Sequence, residues 1–380
     1  MQSIKKVYFP NLNGLRFFAA FIVLFRHIEQ FKLLLGQPSI NFRFGPTGHL
    51  CVLFFFTLSG FIISYLLLNE KRVDGAVSIK TFYARRCRRI FPLYYLIIMT
   101  GIFLIPALPF YQIPVYSSQI YIHFDRKLLL FLLLLSNVYF VIYPFFPYIA
   151  HTWSIAVEEQ FYLFWPWIIK YSGNYLKVFL SILLLGIALS NGFGGWVITV
   201  LHDRLSLFSH NNSGMIINYI NSFFELFRMD CFAMGALGAA ILIKGPSSFL
   251  KIIFKPVGQI FIYSVFIILI IFEQQFNLND IVYCFLLMLI ILNLAGNKTS
   301  LVNLENRWLN YLGKISYGLY MFHPFVILLL IKSMVIYSNG VNNVFSNLLL
   351  YILSPVITIL IAWLSFERFE KKFLYSHKGE

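Results

Sequence analysis

The feature that most constrains the fold of this chain is a series of eleven apolar stretches. They cover residues 12–35, 48–68, 88–108, 127–145, 153–170, 175–191, 228–243, 257–273, 281–296, 316–336 and 346–366. Most approach the ~20 residues that a helix needs to cross the hydrocarbon layer of a membrane. No polar segment is long enough for a separate domain, and we interpret the longest, 191–227, as an exposed loop. We therefore predict an all-α, polytopic membrane helix bundle that forms a single domain over residues 1–380, with no soluble domain.

Composition supports lipid as the main solvent of the chain. Charged residues make up 12% and hydrophobic residues 59%, whereas a soluble domain usually has about 25% charged residues. The net charge of +15 indicates basic loops that face anionic lipid. We therefore expect membrane lipid as a partner and no nucleic acid. The cysteines lack the spacing of metal ligands, so we predict packing roles for them and no metal site: Cys51, Cys87, Cys231 and Cys284.

The positions of the basic residues predict the topology. Lys5 and Lys6 place the N-terminus inside, because cytoplasmic loops carry an excess of Lys and Arg. If all eleven stretches crossed, four later basic segments would lie outside. All four lie inside if one piece within 127–170 does not cross, either 127–145 or 153–170. We therefore predict ten crossings of the inner (cytoplasmic) membrane, with both termini cytoplasmic.

The first apolar stretch contains two ionisable residues, Arg16 and His27. Their separation of eleven residues corresponds to three helical turns plus about 20° and to about 16 Å along the axis. Both side chains therefore lie on one helix face, with the arginine near the cytoplasmic end and the histidine deeper. This arrangement suits an anionic ligand that enters from the cytoplasm. Alternatively, Arg16 extends to the interface and His27 hydrogen-bonds a neighbouring helix.

A basic cluster, RRCRR, precedes the third stretch and contains Arg86 and Arg89. These two arginines share a helix face at i,i+3 spacing, and guanidinium groups match the geometry of phosphate. The alternative is that the cluster only marks a cytoplasmic helix end. In FFFTLSGFII, Ser59 and Gly60 allow a helix or a ligand to approach closely. The sequence context is not that of a nucleophilic serine.

Three further segments place polar side chains among apolar ones. HTWSIAVEEQFYLFWPW contains Trp153 and Glu158, and a carboxylate there is costly unless it faces protein or water. FRMDCFAMGALGA contains Arg228 beside an aspartate, and these two residues could simply pair. LGKISYGLYMFHPFVI contains Tyr317 and His323, although tyrosines alone are typical of an interfacial aromatic belt.

In this order, the motifs resemble those of acyltransferase family 3, multi-pass bacterial enzymes that O-acylate surface saccharides and related molecules. The resemblance covers nearly the whole chain and implies a core of ten helices. It implies that Arg16 and His27 form the functional pair of the first helix and that Arg86 and Arg89 match the arginines before the third helix. Many relatives continue with an extra helix and an esterase-like domain, which we do not expect here. The family often has Asp at the position of Asn13.

The resemblance implies acetyl-CoA or another acyl-CoA as donor, with its phosphates at Arg86 and Arg89. His27 would then act as a general base or as a transient acyl carrier, and Glu158 would orient or balance a cationic partner. The expected acceptor is a hydroxyl of a saccharide such as O-antigen, exopolysaccharide or a lipid-linked sugar. We predict an acceptor site formed by Trp153, Arg228, Tyr317 and His323.

Two other classes of protein fit parts of the pattern. A transporter or flippase of a glycan or small molecule would also place Arg and His inside a helix bundle, but the sequence has no inverted repeat. A structural or sensor membrane protein would leave the polar motifs without a role. Incorporation of labelled acetate into a saccharide distinguishes the enzyme from both alternatives.

Overall fold

The computed structural model describes residues 7–40, 47–113, 116–119, 121–205, 210–276, 278–338 and 340–374. These residues form helices and connecting segments and contain no β-strand, which confirms the predicted all-α class. Short π-helical or 3₁₀ segments occur at Thr100–Leu104, Pro109–Tyr111, Pro147–Ile149 and Phe366–Glu370. The α-helices are α1 (Leu12–Leu34), α2 (Thr47–Asp74), α3 (Ile79–Met99), α4 (Tyr116–Gln119), α5 (Phe124–Leu132), α6 (Ser136–Ile142), α7 (Thr152–Tyr171), α8 (Tyr175–Ser190), α9 (Phe193–Leu205), α10 (His210–Phe227), α11 (Met229–Lys244), α12 (Ser248–Phe254), α13 (Pro256–Ile271), α14 (Glu273–Phe276), α15 (Asp280–Gly296), α16 (Arg307–Lys314), α17 (Ser316–Tyr337), α18 (Val344–Ser365) and α19 (Lys371–Leu374).

Among the described residues, five helical segments are both long enough and apolar enough to cross a membrane: 48–74, 79–104, 214–244, 316–337 and 344–374. Two bent pairs, 175–190 with 193–201 and 248–254 with 256–271, bring the number to seven if each pair is one span. Helices α1 and α7 have 23 and 20 residues but carry several charged side chains. The helices are thus compatible with a multi-pass membrane protein, while ten crossings and cytoplasmic termini stay predictions.

The stretch 127–145 is interrupted in the structure. Helices α5 and α6 have nine and seven residues, so neither covers the ~30 Å hydrocarbon layer. The hydroxyl groups of Tyr94 and Tyr95 donate to the carbonyl oxygens of Phe131 and Leu132, at 2.9 and 3.0 Å, where α5 ends. The second suspect piece, 153–170, lies within the unbroken α7. Of the two stretches that we considered as not crossing the membrane, 127–145 is therefore the one whose helix is interrupted.

The segment 191–227 is not the simple loop that we predicted, because it contains α9 and α10. Residues 206–209, between these helices, lie outside the described part of the chain. Gly195 donates its backbone N–H to the side-chain oxygen of Asn221 at 3.0 Å. A Cβ atom on Gly194 would lie 3.0 Å from the ring of Phe224, so the two helices are in close contact. Glycines and polar residues interrupt the apolar periodicity of this segment, so the sequence did not indicate its two helices.

Helices α2 and α11 cross at two glycines near the centre of the fold. A Cβ atom on Gly60 would lie 2.1 Å from the carbonyl oxygen of Phe232, and one on Gly235 would lie 1.9 Å from that of Thr57. Small residues are therefore required for this backbone approach. All four cysteines are free thiols, and three of them are buried, in agreement with the predicted packing roles.

Candidate active site

The N-terminal end of α1 is anchored to the segment between α15 and α16. Asn11, at φ 64°, donates its side-chain amide to the carbonyl oxygen of Leu294 at 3.0 Å. Its side-chain oxygen accepts the backbone N–H of Leu304 at 2.6 Å, and its backbone N–H donates to the carboxylate of Glu305. A Cβ atom on Gly313 would lie 2.1 Å from the carbonyl oxygen of Asn13. These contacts fix the position of the helix that carries Arg16 and His27.

The carboxylate of Glu305 is held in its charged form in this anchor. Burial by itself would raise the pKa of Glu305, but hydrogen bonds from Tyr8, Asn11 and Asn310 outweigh burial and lower that pKa. The hydroxyl group of Tyr8 donates to it at 2.6 Å. The ionised carboxylate therefore stays available to hold the start of α1 at neutral pH.

The other end of α1 carries a buried ion pair that our sequence analysis did not identify. Nζ of Lys32 lies 2.9 Å from Oε1 of Glu29 and donates to the side-chain oxygen of Asn347 at 2.7 Å. The hydroxyl group of Tyr351 also donates to Glu29, at 2.5 Å. Charges inside a protein need such partners. The network fixes α1 against α18, and the i,i+3 spacing of Glu29 and Lys32 was its signal in the sequence.

A wide cavity of about 1980 Å³, counted with its opening, lies beside the start of α1 and the start of α3. We call it the arginine mouth, and its basic residues are Arg16, Arg85, Arg86, Arg88 and Arg89. Glu70 is the one acidic residue among the described residues that line it, and Oε2 of Glu70 lies 3.9 Å from Nη2 of Arg85. The mouth is therefore strongly basic.

A second cavity of about 840 Å³, counted in the same way, continues inward from the arginine mouth and shares Arg16, Arg86 and Arg89 with it. We call it the arginine cavity. Its remaining lining consists of one carboxylate, that of Glu158, and of apolar or hydroxyl-bearing side chains: Val52, Phe55, Phe56, Leu58, Ser59, Ile90, Ser154, Ile155, Tyr162, Ser316, Tyr317 and Tyr320. Of the residues predicted from sequence, Arg16, Arg86, Arg89, Glu158 and Tyr317 therefore meet in one place.

The three shared arginines form no ion pair with any residue that the structure describes. Within the described part of the chain, no carboxylate lies within 4.0 Å of the guanidinium groups of Arg16, Arg86 or Arg89. Arg86 instead stacks on Tyr162, with 5.3 Å between its Cζ and the ring centroid. Among the described residues, its buried Nε has no hydrogen-bond partner. Unpaired guanidinium groups in a partly buried cavity favour an anionic ligand.

Glu158 uses its carboxylate for a contact within the protein. The hydroxyl group of Ser59 donates to Oε1 of Glu158, and the hydroxyl group of Tyr162 lies 3.3 Å from Oγ of Ser59. This contact gives Ser59 a role in holding Glu158 rather than the role of a nucleophile. The carboxylate remains on the wall of the arginine cavity, where it partly balances the three guanidinium groups.

Three histidines, two from helices α1 and α17 and one from the residue before α7, meet next to Tyr320 of the arginine cavity. Nδ1 of His27 on α1 lies 2.5 Å from Nε2 of His323 on α17. Nδ1 of His323 donates to the carbonyl oxygen of Tyr320 at 2.6 Å. The ring of His151, just before α7, lies 5.4 Å from that of His323 between centroids. Neither ring nitrogen of His151 has a hydrogen-bond partner in the described structure, although the residue is buried.

A third cavity, the histidine cavity, lies on the opposite side of this cluster and measures about 1270 Å³ with its opening. Its lining is largely aromatic and aliphatic: His27, Gln30, Phe31, Leu34, Phe140, Phe145, Pro147, Ala150, His151, Trp153, Leu226 and Pro324. None of these residues is Asp, Glu, Lys or Arg. The predicted residues His27 and Trp153 therefore face a cavity whose chemistry differs sharply from that of the arginine cavity.

Tyr320 and Ser154 form the wall between the arginine cavity and the histidine cavity. Their hydroxyl oxygens lie 2.8 Å apart, and the hydroxyl group of Tyr320 donates to the backbone carbonyl of His151 at 2.9 Å. Both residues line the arginine cavity, whereas His151 lines the histidine cavity. Sequence reasoning did not include these three residues in the site. Their presence in the same motifs as Trp153 and His323 was the available signal.

Arg228 lies apart from the predicted group. Its Nε and Nη2 donate to Asp230 at 3.1 and 2.9 Å, and its Nη1 donates to Asp280. The guanidinium group is thus engaged by two carboxylates and lines none of the three cavities. This is the pairing that we gave as the alternative to acceptor binding.

The three histidines are not arranged as ligands of a metal ion. In the described ranges, no group of three His, Cys, Asp or Glu side chains is placed to hold one. The cluster instead combines one hydrogen-bonded histidine pair with a third imidazole, that of His151, beside it. Neutral imidazoles of this kind can accept and donate protons near neutral pH.

Comparison with known proteins identifies the family. The family model described as an acyltransferase domain matches residues 9–367. The chain belongs to this acyltransferase family. Membership confirms the predicted family and the predicted class, an acyltransferase.

Curated relatives of this chain are named as O-acetyltransferases. "Putative O-acetyltransferase SACOL0978" of Staphylococcus aureus (strain COL) is 26% identical over 97% of this chain. The match covers 58% of that protein, so the chain spans less than two thirds of its length. "Peptidoglycan O-acetyltransferase OatA" of Listeria monocytogenes serovar 1/2a is 27% identical over 42% of this chain and 24% of its own length. No solved structure matches this chain significantly.

Proposed function

We propose that this chain transfers a short acyl group, such as acetyl, from an acyl-CoA to a hydroxyl group of a saccharide in the bacterial cell envelope. The observation that carries the proposal is that two chemically different cavities adjoin at a hydrogen-bonded wall. Tyr320 and Ser154 line the basic cavity, His27 and His151 line the uncharged one, and Tyr320 donates to the carbonyl oxygen of His151. A basic cavity on one side suits a phosphate-bearing donor, and an uncharged aromatic cavity on the other suits a sugar.

The arginine mouth and the arginine cavity would bind the donor. Coenzyme A carries several phosphate groups, and Arg16, Arg86 and Arg89 have no carboxylate partner within the described structure. Fork-shaped guanidinium groups bind phosphate by charge-assisted hydrogen bonds. The narrower, more apolar interior of the arginine cavity would then hold the arm that carries the thioester. The arm would end near Ser154 and Tyr320.

The histidine cavity would bind the acceptor. Aromatic side chains such as Trp153, Phe140 and Phe145 present flat apolar faces that can cover the C–H faces of a sugar ring. His27 lines the same cavity and would contact the reacting hydroxyl group. The Listeria relative is named for peptidoglycan, which makes a cell-wall saccharide a reasonable first acceptor to assay.

The chemical step would be direct acyl transfer with His27 as general base. The imidazole removes the proton of the acceptor hydroxyl group as its oxygen bonds to the thioester carbon. The carbon–sulfur bond then breaks, and the proton passes from the imidazolium ion to the departing thiolate. The products are an O-acyl saccharide and free coenzyme A. Glu158 would balance the guanidinium groups around the donor without touching the reacting atoms.

The test is acyl transfer by the purified protein in detergent or nanodiscs. The protein is incubated with radiolabelled acetyl-CoA and soluble peptidoglycan fragments, and the label in the saccharide is measured after its separation. Wild type should transfer label, and His27→Ala should lose about 100-fold or more of the rate, the usual contribution of a general base. No wild-type transfer to this acceptor or to other envelope saccharides, or an unchanged rate in His27→Ala, would contradict the proposal.

A further inference from the structure

A proline creates the feature on which this inference depends. Pro324 lies inside α17 and has no backbone N–H, so it cannot donate to the carbonyl group four residues earlier. That carbonyl group belongs to Tyr320. A buried carbonyl group without a partner is unfavourable. The side chain of His323 supplies the missing partner, because its Nδ1 donates to the oxygen of Tyr320 at 2.6 Å.

This hydrogen bond determines where His323 carries its proton. A carbonyl oxygen can only accept, so Nδ1 of His323 must be the protonated nitrogen. In the neutral imidazole the other nitrogen, Nε2, then has a lone pair and can only accept. The atom 2.5 Å from Nε2 is Nδ1 of His27. The planes of the two rings differ by 10°, which suits a hydrogen bond in the plane of both rings.

The same reasoning continues to His27. Because Nε2 of His323 accepts, Nδ1 of His27 must donate, and a neutral His27 therefore has its lone pair on Nε2. We propose that Pro324, the carbonyl group of Tyr320 and His323 form a positioning relay that fixes this tautomer of His27 and makes Nε2 the proton-accepting atom. Nε2 of His27 has no hydrogen-bond partner in the described structure, and His27 lines the histidine cavity.

The sequence analysis predicted that His323 binds the acceptor. In the relay, His323 instead positions the imidazole of His27. His323 is fully enclosed, with 1% of its surface exposed, and lines none of the three cavities. Both of its nitrogens are used within the protein. It acts through His27 and contacts neither substrate. This inference rests on the proposed function, because the tautomer matters only if His27 accepts a proton from the acceptor.

The test compares His323→Leu with His323→Gln in the transfer assay. Leucine fills the site but cannot accept from His27, whereas the side-chain oxygen of glutamine can take the place of Nε2. We expect His323→Leu to lower kcat about 100-fold or more, and His323→Gln to keep kcat within about tenfold of wild type because the acceptor is retained. KM for the donor and for the acceptor should stay within about twofold, since neither cavity is lined by His323.

The matched control is Phe322→Leu, an apolar change of the adjacent residue, which belongs to none of the three cavities. It should leave kcat unchanged. Equal loss of kcat in the Leu and Gln variants, or a rise in KM without loss of kcat, would overturn the relay. So would a His323→Leu enzyme with wild-type kcat. The proposed function fails separately, because it requires wild-type transfer and its loss in His27→Ala, neither of which depends on the His323 variants.

Discussion

Replacement of Arg86 by alanine tests the donor site with little expected damage to the fold. Arg86 forms no ion pair within the described structure, and its main contacts are with the rings of Phe82 and Tyr162. Loss of such cation–π contacts costs about 0.5–1 kcal/mol each at exposed sites and about 2 kcal/mol at desolvated ones, and Arg86 lies between these cases. The bundle should therefore tolerate the change, and any large effect should appear in the use of the donor.

The expected effect on the donor follows from one lost contact with phosphate. A hydrogen bond that involves charged groups contributes about 1.5–3 kcal/mol. Since 1.4 kcal/mol corresponds to about tenfold in affinity, Arg86→Ala should raise KM for acetyl-CoA by about 10- to 150-fold. The kcat at saturating donor should change much less, because the lost interaction is present equally in the ground state and the transition state.

The assay is the initial rate of label transfer over a range of acetyl-CoA concentrations at low and at physiological salt. The matched control is Arg72→Ala, since Arg72 is an exposed arginine near the end of α2 that lines none of the three cavities. It should keep the wild-type KM. A wild-type KM in Arg86→Ala, or an equal rise in the Arg72 control, would refute the assignment of the donor phosphates to the arginine mouth.

Three further predictions test the chemistry and the packing. Incubation with labelled acetyl-CoA alone should leave no label covalently attached to the wild-type protein, because the proposed transfer is direct and forms no acyl-enzyme intermediate. A labelled peptide that contains His27 would contradict direct transfer. Gly235→Ala should lower the melting temperature of the protein in detergent, because the new Cβ atom would lie 1.9 Å from the carbonyl oxygen of Thr57 and overpacking costs about 1–3 kcal/mol. A variant that melts at the wild-type temperature would show that α2 and α11 separate easily. Lys32→Met should destabilise the protein by about 3–5 kcal/mol, because it removes the cation that pairs with the buried carboxylate of Glu29. The double variant Lys32→Met with Glu29→Gln should recover part of this lost stability.

Helical periodicity and the cost of buried charge made much of the site predictable. Arg16 and His27 lie on one continuous helix, as we predicted from the apolar stretch that contains them. Arg86 and Arg89 line a cavity together with Arg16. Each of these inferences needs only the geometry of a single helix. The positions of the basic residues also predicted that either 127–145 or 153–170 does not cross the membrane, and the helix is interrupted in the first of these stretches.

Contacts between distant helices were the part that sequence alone could not supply. His27 and His323 are 296 residues apart, and no periodicity predicts that their rings meet. The wall that separates His27 from the arginine cavity depends on Tyr320 and Ser154, which come from two different helices. Arg228 was misjudged for a related reason, because Asp280, one of its two partners, is 52 residues away. Local patterns identified polar residues but could not identify their partners.

The central claim is that donor and acceptor reach the reaction site from two separate cavities. The most direct test supplies the two substrates on opposite sides of the membrane of a proteoliposome and measures acyl transfer. Protein reconstituted in one orientation receives labelled acetyl-CoA on the side of the arginine mouth and saccharide acceptor on the other side, with no exchange between compartments. We expect labelled saccharide from wild type and a rate at least about 100-fold lower from His27→Ala. Transfer only when both reactants share one compartment, or undiminished transfer by His27→Ala, would contradict the account.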